Sequence, residues 1–499
     1  MSAKDRIVKN TTYLTIASMM QKVVAFVYYK FISDALQVDL SHYTFALSYT
    51  SIVIIFMDFG LGQILIREGA KHESNLQFIV TKIVRLKAPL MVASVIASCI
   101  FIALIEPYFD KISFVDVQMV WFGSLIILLD TISFTLFAIF RATRRLEWEA
   151  MSVILYQSMI FAVGCTALYF HAPVIFFLAA LVAGSIVQST FLYIQLLRKT
   201  TIRFRFRLRK GDAEGVSDEL RQFFTLKRIL IAALPFAIAG LVSRVYSSAD
   251  TFLLKATIGD TAVSIYSVAM KLVVALTVIP GAFATVFYPV ISAAIQEKKS
   301  TVDTLLRESI LYILLISFPM MVGIAIVGDN IITLAWSSFF KLAAPALQVL
   351  SLSLPFVFLN YPIGYVLNAA NKQHLNTIHM AIALAVNLAV NITLIPTWSF
   401  MGSAVAFVLS SIVLVTLNVI QVARIVDIDW WAYTVLLLKL SGASLIMGFI
   451  LYWVQGAYPF PIVVLIAVVV YAVLVLLFRI VEITEVQSSV ARVLKRAKV

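Results

Sequence analysis

The chain has 499 residues, 62% of them hydrophobic and only 13% charged, with a mean hydropathy of +0.98. A soluble globular protein carries about 45–50% apolar and about 25% charged residues, so soluble enzyme, secreted scaffold and nucleic-acid binder are all disfavoured. The formal charge of +13 fits a membrane protein whose cytoplasmic loops collect Lys and Arg, and its two cysteines, Cys99 and Cys165, lie in apolar runs that suggest neither a disulfide framework nor a Cys-rich metal site.

A helix crosses the hydrocarbon core with about 20 mostly apolar residues. In chain order that template fits 10–32, 43–65, 83–105, 118–140, 150–170, 173–197, 229–255, 262–288, 305–327, 343–369, 374–396, 401–424, 431–454 and 459–481. These runs predict an all-α polytopic membrane protein with about fourteen transmembrane helices. Barrel-type alternation with a ten-residue period is absent. The first run is too long, and too charged at Lys22 and Lys30, for a cleaved signal peptide.

Basic residues fall on alternate sides of these runs. One side collects 31 of the 39, including Arg67, Lys71, Lys82, Arg85, Lys87, Arg141, a cluster from Arg198 to Arg228, and the C-terminal tail; the other side has only Lys111 and Lys341. The bias predicts that both termini are cytoplasmic, as an even span count requires. The longest polar stretch begins with alternating Arg203, Phe204, Arg205, Phe206, Arg207, Leu208 and Arg209, and reads as an interfacial segment at anionic headgroups.

That stretch divides two groups of six spans that look like repeats. Ser41-His42-Tyr43-Thr44-Phe45-Ala46 and Ser264-Ile265-Tyr266-Ser267-Val268-Ala269 share Ser-x-Tyr-x-x-Ala at an offset of 223, and at an offset of 222 Lys22 falls on Arg244. The expected organisation is an N-lobe (1–198), a basic cytoplasmic linker (199–228), a pseudo-symmetric C-lobe (229–425), and two extra helices with an amphipathic cytoplasmic tail (426–499).

Nucleotide, zinc and hydrolase signatures are missing: there is no P-loop, no H-E-x-x-H and no G-x-S-x-G elbow. His374 and His379, five apart, do not share a helical face and read as loop and helix-end residues. No enzyme, cofactor or metal is expected. Inside the spans lie Lys22, Arg244 and Lys271, with Asp58, Asp130 and Asp250 as acidic members; Lys30, Lys255 and Lys439 sit nearer span ends and are expected to snorkel. Two readings stay open: internal ion pairs that fix helix packing, or cations lining a wet cavity that hold an anionic substrate. The three aspartates are candidate ion carriers or structural partners. Pro235, Pro280-Gly281, Pro289, Pro319 and Pro355 interrupt the second lobe as static bends or as hinges, with Pro280 and Gly281 as the hinge candidates.

The stretch Ile32–Ala70, with Tyr43, Ala46, Asp58-Phe59-Gly60-Leu61 and Arg67-Glu68-Gly69-Ala70, resembles the opening of the bacterial polysaccharide transporters, the Wzx-like oligosaccharide-lipid flippases of the multidrug/oligosaccharidyl-lipid/polysaccharide exporter superfamily. Leu234-Pro235, Asp250-Thr251-Phe252-Leu253-Leu254, Ile265–Ala269, Pro280-Gly281 and Pro289 look like the opening of their second lobe. Ser33-Asp34-Ala35-Leu36-Gln37 departs from the Leu-Gly turn common in the family. The resemblance implies two lobes that move a polyprenyl-diphosphate-linked oligosaccharide (an O-antigen, capsule or exopolysaccharide repeat unit) across the inner membrane by alternating access. A polysaccharide polymerase and chain-length proteins are candidate partners, and nucleic acid is not. A diphosphate needs cations such as Lys22, Arg244 and Lys271, and sugars want aromatic faces such as Tyr28, Tyr29, Tyr246 and Tyr266. The alternatives are a peptidoglycan-precursor flippase, a cation-coupled drug exporter of the same superfamily, and, further off, a membrane glycosyltransferase or polymerase.

Overall fold

The computed structural model describes residues 3–207, 209, 212, 215–297 and 299–481, and every regular element among them is helical. In order these are α1 (Ala3–Leu36), α2 (Leu40–Asp58), α3 (Leu61–Lys71), α4 (Leu76–Ile105), α5 (Phe114–Ala142), α6 (Leu146–Tyr169), α7 (Ile175–Lys199), α8 (Asp218–Phe223) and α9 (Leu226–Thr257). The rest are α10 (Asp260–Leu276), α11 (Val278–Glu297), α12 (Lys299–Ala335), α13 (Ala343–Ser351), α14 (Leu354–Ala369), α15 (Gln373–Trp398), α16 (Phe400–Val422), α17 (Trp430–Val454) and α18 (Phe460–Leu477).

Twelve helical segments among the described residues are long and apolar enough to cross a bilayer, or thirteen if the bent pair Ser338–Ser351 and Leu354–Ala369 is one span. The first segment, Ala17–Asp58, contains both α1 and α2. Tyr29 lies beside Thr44, whereas fifteen residues of straight helix would hold them about 22 Å apart. The chain therefore turns back near Gln37, whose φ is +48°, and the segment holds two spans. The protein is a multi-pass membrane protein.

Three expected spans are broken. Span 43–65 divides at Phe59-Gly60, both left-handed (φ +46° and +74°), so that α2 stops and α3 restarts. A Cβ on Gly60 would stand 2.7 Å from the Ala233 carbonyl oxygen, which makes glycine obligatory there. Span 262–288 divides at Thr277, and the 343–369 run bends by 46° between α13 and α14. Pro280 occupies the first turn of α11, where a missing N–H costs no intrahelical bond. Pro355 likewise opens α14, whereas Pro235 and Pro319 lie inside continuous helices.

The helices pack into two compact units. The first comprises Met1–Lys271 and Leu384–Ser403, the second Leu272–Ala383 and Ala404–Val499. This division by packing differs from the division by repeat, because α9, most of α10, the C-terminal half of α15 and the start of α16 join the first unit. Within it the two repeat motifs reach toward one another: Ser41 Oγ donates to Asp260 at the start of α10 (2.5 Å), and Ser264 Oγ donates to the Val38 carbonyl just before α2 (2.9 Å).

The linker packs into the first unit instead of lying only on headgroups. Ile202, Val216, Leu220 and Phe224 are buried in a core with Leu61, Ile64, Phe78, Phe140 and Leu196. Gln77 on α4 clasps the Arg203 backbone from both sides, accepting from its N–H (2.7 Å) and donating to its carbonyl (2.9 Å). Period-2 alternation explains this: Ile202 and Phe204 turn toward the bundle, and Phe204 meets Tyr193 at 5.9 Å. The second unit has two apolar cores, one around Ile291, Leu306, Val366 and Val422, and one around Met447, Leu451, Val463 and Val475. The expected amphipathic tail beyond Val481 lies outside the described residues.

Candidate functional site

Asp250 is the centre of a buried polar cage in the first unit. α9 brings Asp250, α10 brings Tyr266, α15 brings Asn387 and Asn391 one turn apart on one face, and α16 brings Ser403. Tyr266 donates to Asp250 Oδ2 at 2.6 Å, while Asn387 and Asn391 donate to Oδ1 at 3.0 and 2.8 Å. Ser403 in turn donates to Asn391 Oδ1 at 2.8 Å, which fixes that amide's orientation. All five residues are buried. Every donor is neutral, and among the described residues no Lys or Arg pairs with Asp250. A buried carboxylate without a counter-charge is costly in a medium of low dielectric. It is relieved by a proton or by a bound cation, for which the surrounding carboxylate, amide and hydroxyl oxygens are hard ligands.

The other two candidate aspartates are provided for differently. Asp58 forms an ion pair with Lys87, whose Nζ also donates to Thr135 Oγ1 at 2.8 Å. Lys87 had counted among the loop cations, but α4 begins at Leu76, and its side chain is buried within the bundle. Asp130 accepts from Ser185 Oγ at 2.7 Å.

A second charged cluster joins four helices that sequence reading left apart. His42 on α2 lies 2.6 Å from Asp116 Oδ1 on α5, and Lys255 on α9 reaches Asp116 Oδ2 at 2.8 Å and pairs with Asp260 on α10. Lys255, expected to snorkel, is fully buried instead. The carboxylates sit at the N-terminal ends of their helices and Lys255 at a C-terminal end, all favourable for the helix dipoles. The ligand atoms of His42, Asp116 and Asp260 lie within 4.8 Å of one another, but the Lys255 ammonium sits among them and supplies the positive charge that a metal ion would bring.

Lys22 and Arg244 are exposed and form no ion pair among the described residues. Lys271 is half-buried with its Nζ 4.8 Å from the Tyr29 ring centroid, and Tyr29 donates to Ser267 at 2.9 Å. Tyr28 is buried against Gly164, Tyr246 is half-buried, and the Tyr266 hydroxyl is committed to Asp250. The structure thus unites Asp250 with Tyr266 and Lys271 with Tyr29, while Lys22 and Arg244 stand without described partners. Gly281 has open space where a Cβ would lie. The missed members of the cage, Asn387 and Asn391, had one signal: two amides four apart in an otherwise apolar run.

In the second unit α12, α17 and α18 line an open cavity of about 860 Å³, walled by apolar side chains that include Ile316, Pro319, Met447, Leu451, Val463 and Val468.

With this geometry in hand, the relatives can be placed. The pattern of the family described as polysaccharide biosynthesis protein matches residues 7–295, more than half of the chain. The chain belongs to that family. A MatE pattern also matches residues 235–393. The probable low-salt glycan biosynthesis flippase Agl15 of Haloferax volcanii is 24% identical over 186 residues, 37% of this chain and 39% of that protein, so the match spans about two fifths of the relative. Among solved structures, the inward closed conformation of lipid II flippase MurJ superposes with a TM-score of 0.74 at 17% identity, covering 92% of this chain and 97% of that one. An inward-facing multidrug resistance MATE transporter of the MOP superfamily superposes with a TM-score of 0.66 at 14% identity, covering 84% and 98%. At these identities the likeness is one of fold. The family match agrees with the resemblance to polysaccharide transporters carried by Asp58–Leu61 and Arg67–Ala70.

Proposed function

We propose that the protein flips a polyprenyl-diphosphate-linked oligosaccharide from the cytoplasmic to the outer leaflet of the cell inner membrane by alternating access, with both termini in the cytoplasm. The observation that carries this reading is the state of Lys22 and Arg244. Both lie in membrane-spanning helices, both are exposed, and neither has an ion-pair partner among the described residues. A cation inside a span costs about 2.5–3.5 kcal/mol at mid-bilayer and calls for water or an anion. The diphosphate of a lipid-linked glycan supplies that anion, whereas an exporter of organic cations would want acidic groups in the same place. The 24% identity to a probable glycan biosynthesis flippase supports a glycan cargo. The apolar cavity of the second unit suits a stretch of isoprenoid chain. Transport is driven by a cation or proton held at Asp250, whose cage offers only neutral donors.

The test is transbilayer movement of a fluorescent polyprenyl-diphosphate glycan in proteoliposomes, read by its accessibility to an impermeant quencher. Lys22→Ala and Arg244→Ala should each slow movement by at least about tenfold, the worth of one lost charge-assisted contact, while reconstituting normally. Normal rates in both variants would remove the diphosphate-binding role.

A further inference from the structure

The second unit contains a polar hub that the flippase reading has not used. Asn418 on α16 is fully buried, and its hydrogen-bonding capacity is taken up. Its Nδ2 donates to Asn360 Oδ1 on α14 and to Asn376 Oδ1 on α15, both at 2.9 Å. Its Oδ1 stands 2.7 Å from His379 Nδ1 and accepts that ring's proton. The hub therefore fixes three outer side chains in known polarity. Asn360 and Asn376 accept through oxygen, which leaves their Nδ2 groups as donors. His379 donates through Nδ1, which leaves Nε2 as the acceptor of its neutral ring. Asn360, Asn376 and His379 are half-buried, and these remaining atoms are not sealed in the core.

From Asn360 round to Tyr365, one side of α14 is half-open and carries two tyrosines. At about 100° per residue, Gly364 lies roughly 40° round from Asn360, Tyr361 about 100° and Tyr365 about 140°. All four are half-buried, whereas Phe358, Pro362 and Val366 on the opposite side are buried, as are Ile363 and Leu367 along the other edge of Asn360. No atom lies within 4 Å of where a Cβ on Gly364 would be, so there is room beside Asn360. Tyr365 meets Tyr361 and Tyr288 edge to face, with centroids at 6.5 and 5.3 Å, which holds the ring faces in place. Two amide donors, one imidazole acceptor and ordered tyrosine faces, with no charged side chain in the hub, match a neutral polyhydroxylated ring better than a phosphate: hydroxyl oxygens accept from the amides, a hydroxyl hydrogen goes to the imidazole, and C–H faces stack on tyrosine.

We infer that Asn360, Asn376 and His379, held by Asn418 and flanked by Tyr361 and Tyr365, form a binding site for a sugar ring of the transported lipid. This rests on the proposed flippase function and adds a sugar site separate from the diphosphate cations.

The experiment measures binding to the full-length protein in nanodiscs of four probes: farnesyl diphosphate, and its glucosyl, galactosyl and N-acetylglucosaminyl esters. The wild type should bind at least one sugar-bearing probe more tightly than bare farnesyl diphosphate. Asn360→Ala with Asn376→Ala should abolish that gain, a loss of about tenfold, while leaving the bare probe unchanged. Tyr361→Leu, which keeps the hub whole, should erode the same gain. Equal weakening of bare and sugar-bearing probes, or no change in either, overturns the sugar site. Wild-type binding of the bare probe with no gain from any sugar overturns the sugar site alone. Wild-type binding of none of the four overturns both the sugar site and the flippase reading.

Discussion

Lys255→Met tests whether the His42–Asp116–Lys255–Asp260 cluster is held by charge balance. With His42 counted neutral, the cluster carries two carboxylates against one ammonium, and removal of the ammonium leaves two like charges, Asp116 fully buried and Asp260 partly so. At 2.8 Å from Asp116, the lost attraction is about 6 kcal/mol at an effective dielectric of 20. Removing one partner of a buried pair costs about 3–5 kcal/mol net. The melting midpoint of the purified protein in detergent, followed by intrinsic fluorescence, should fall by about 3–5 °C for a chain of this length. Asp260→Asn on the Lys255→Met background restores the starting net charge and should recover about half of the loss, a coupling that a double-mutant cycle isolates. Asp260 is the better partner to change, because Asp116 Oδ2 also accepts from the Ser113 N–H (2.8 Å) and hydroxyl in the capping box that starts α5. An unchanged midpoint in Lys255→Met, or a double variant as unstable as the sum of the singles, would refute the charge-balance argument.

Gly60→Ala should lower the same midpoint by the equivalent of at least about 2 kcal/mol, since a left-handed alanine is strained and its Cβ meets the Ala233 carbonyl at 2.7 Å; a wild-type midpoint would show that the α2–α3 break can shift. Asp250→Asn should fold and insert but abolish the sodium or pH dependence of glycan movement in proteoliposomes, and unchanged dependence on both would make Asp250 structural. Pro280→Ala with Gly281→Ala restores an N–H at the break at Thr277 and should join α10 to α11, slowing movement and narrowing spin-label distance distributions measured across α10 and α11; a normal rate with unchanged distances would make the break a fixed feature.

Much of the fold was legible because the bilayer imposes a one-dimensional code, apolar length and basic loops, that needs no knowledge of contacts. The breaks were less legible. Asp58-Phe59-Gly60-Leu61 stood out as a motif, yet hydropathy runs straight through it, and only the left-handed φ of Phe59 and Gly60 shows that one span becomes two helices. Depth was misread for the same reason: Lys87 and Lys255 lie near the ends of apolar runs, where a long side chain can snorkel, but each meets carboxylates on other helices. Asp250 and Tyr266 were both singled out in the sequence, but their bond joins two helices, and the amides that complete the cage carry no charge to betray them. His42 and Asp116 are 74 residues apart, and Lys255 is more distant still. No spacing rule connects such positions.

Among the buried carboxylates of the first unit, Asp116 and Asp250 differ in what surrounds them. Asp116 meets an ammonium and closes a helix cap, so its charge is matched within the fold and nothing need come or go. Asp250 meets two amides and a phenol, so no charged side chain among the described residues balances it, and on the proposed reading a proton or cation does. All the cage residues belong to the first unit.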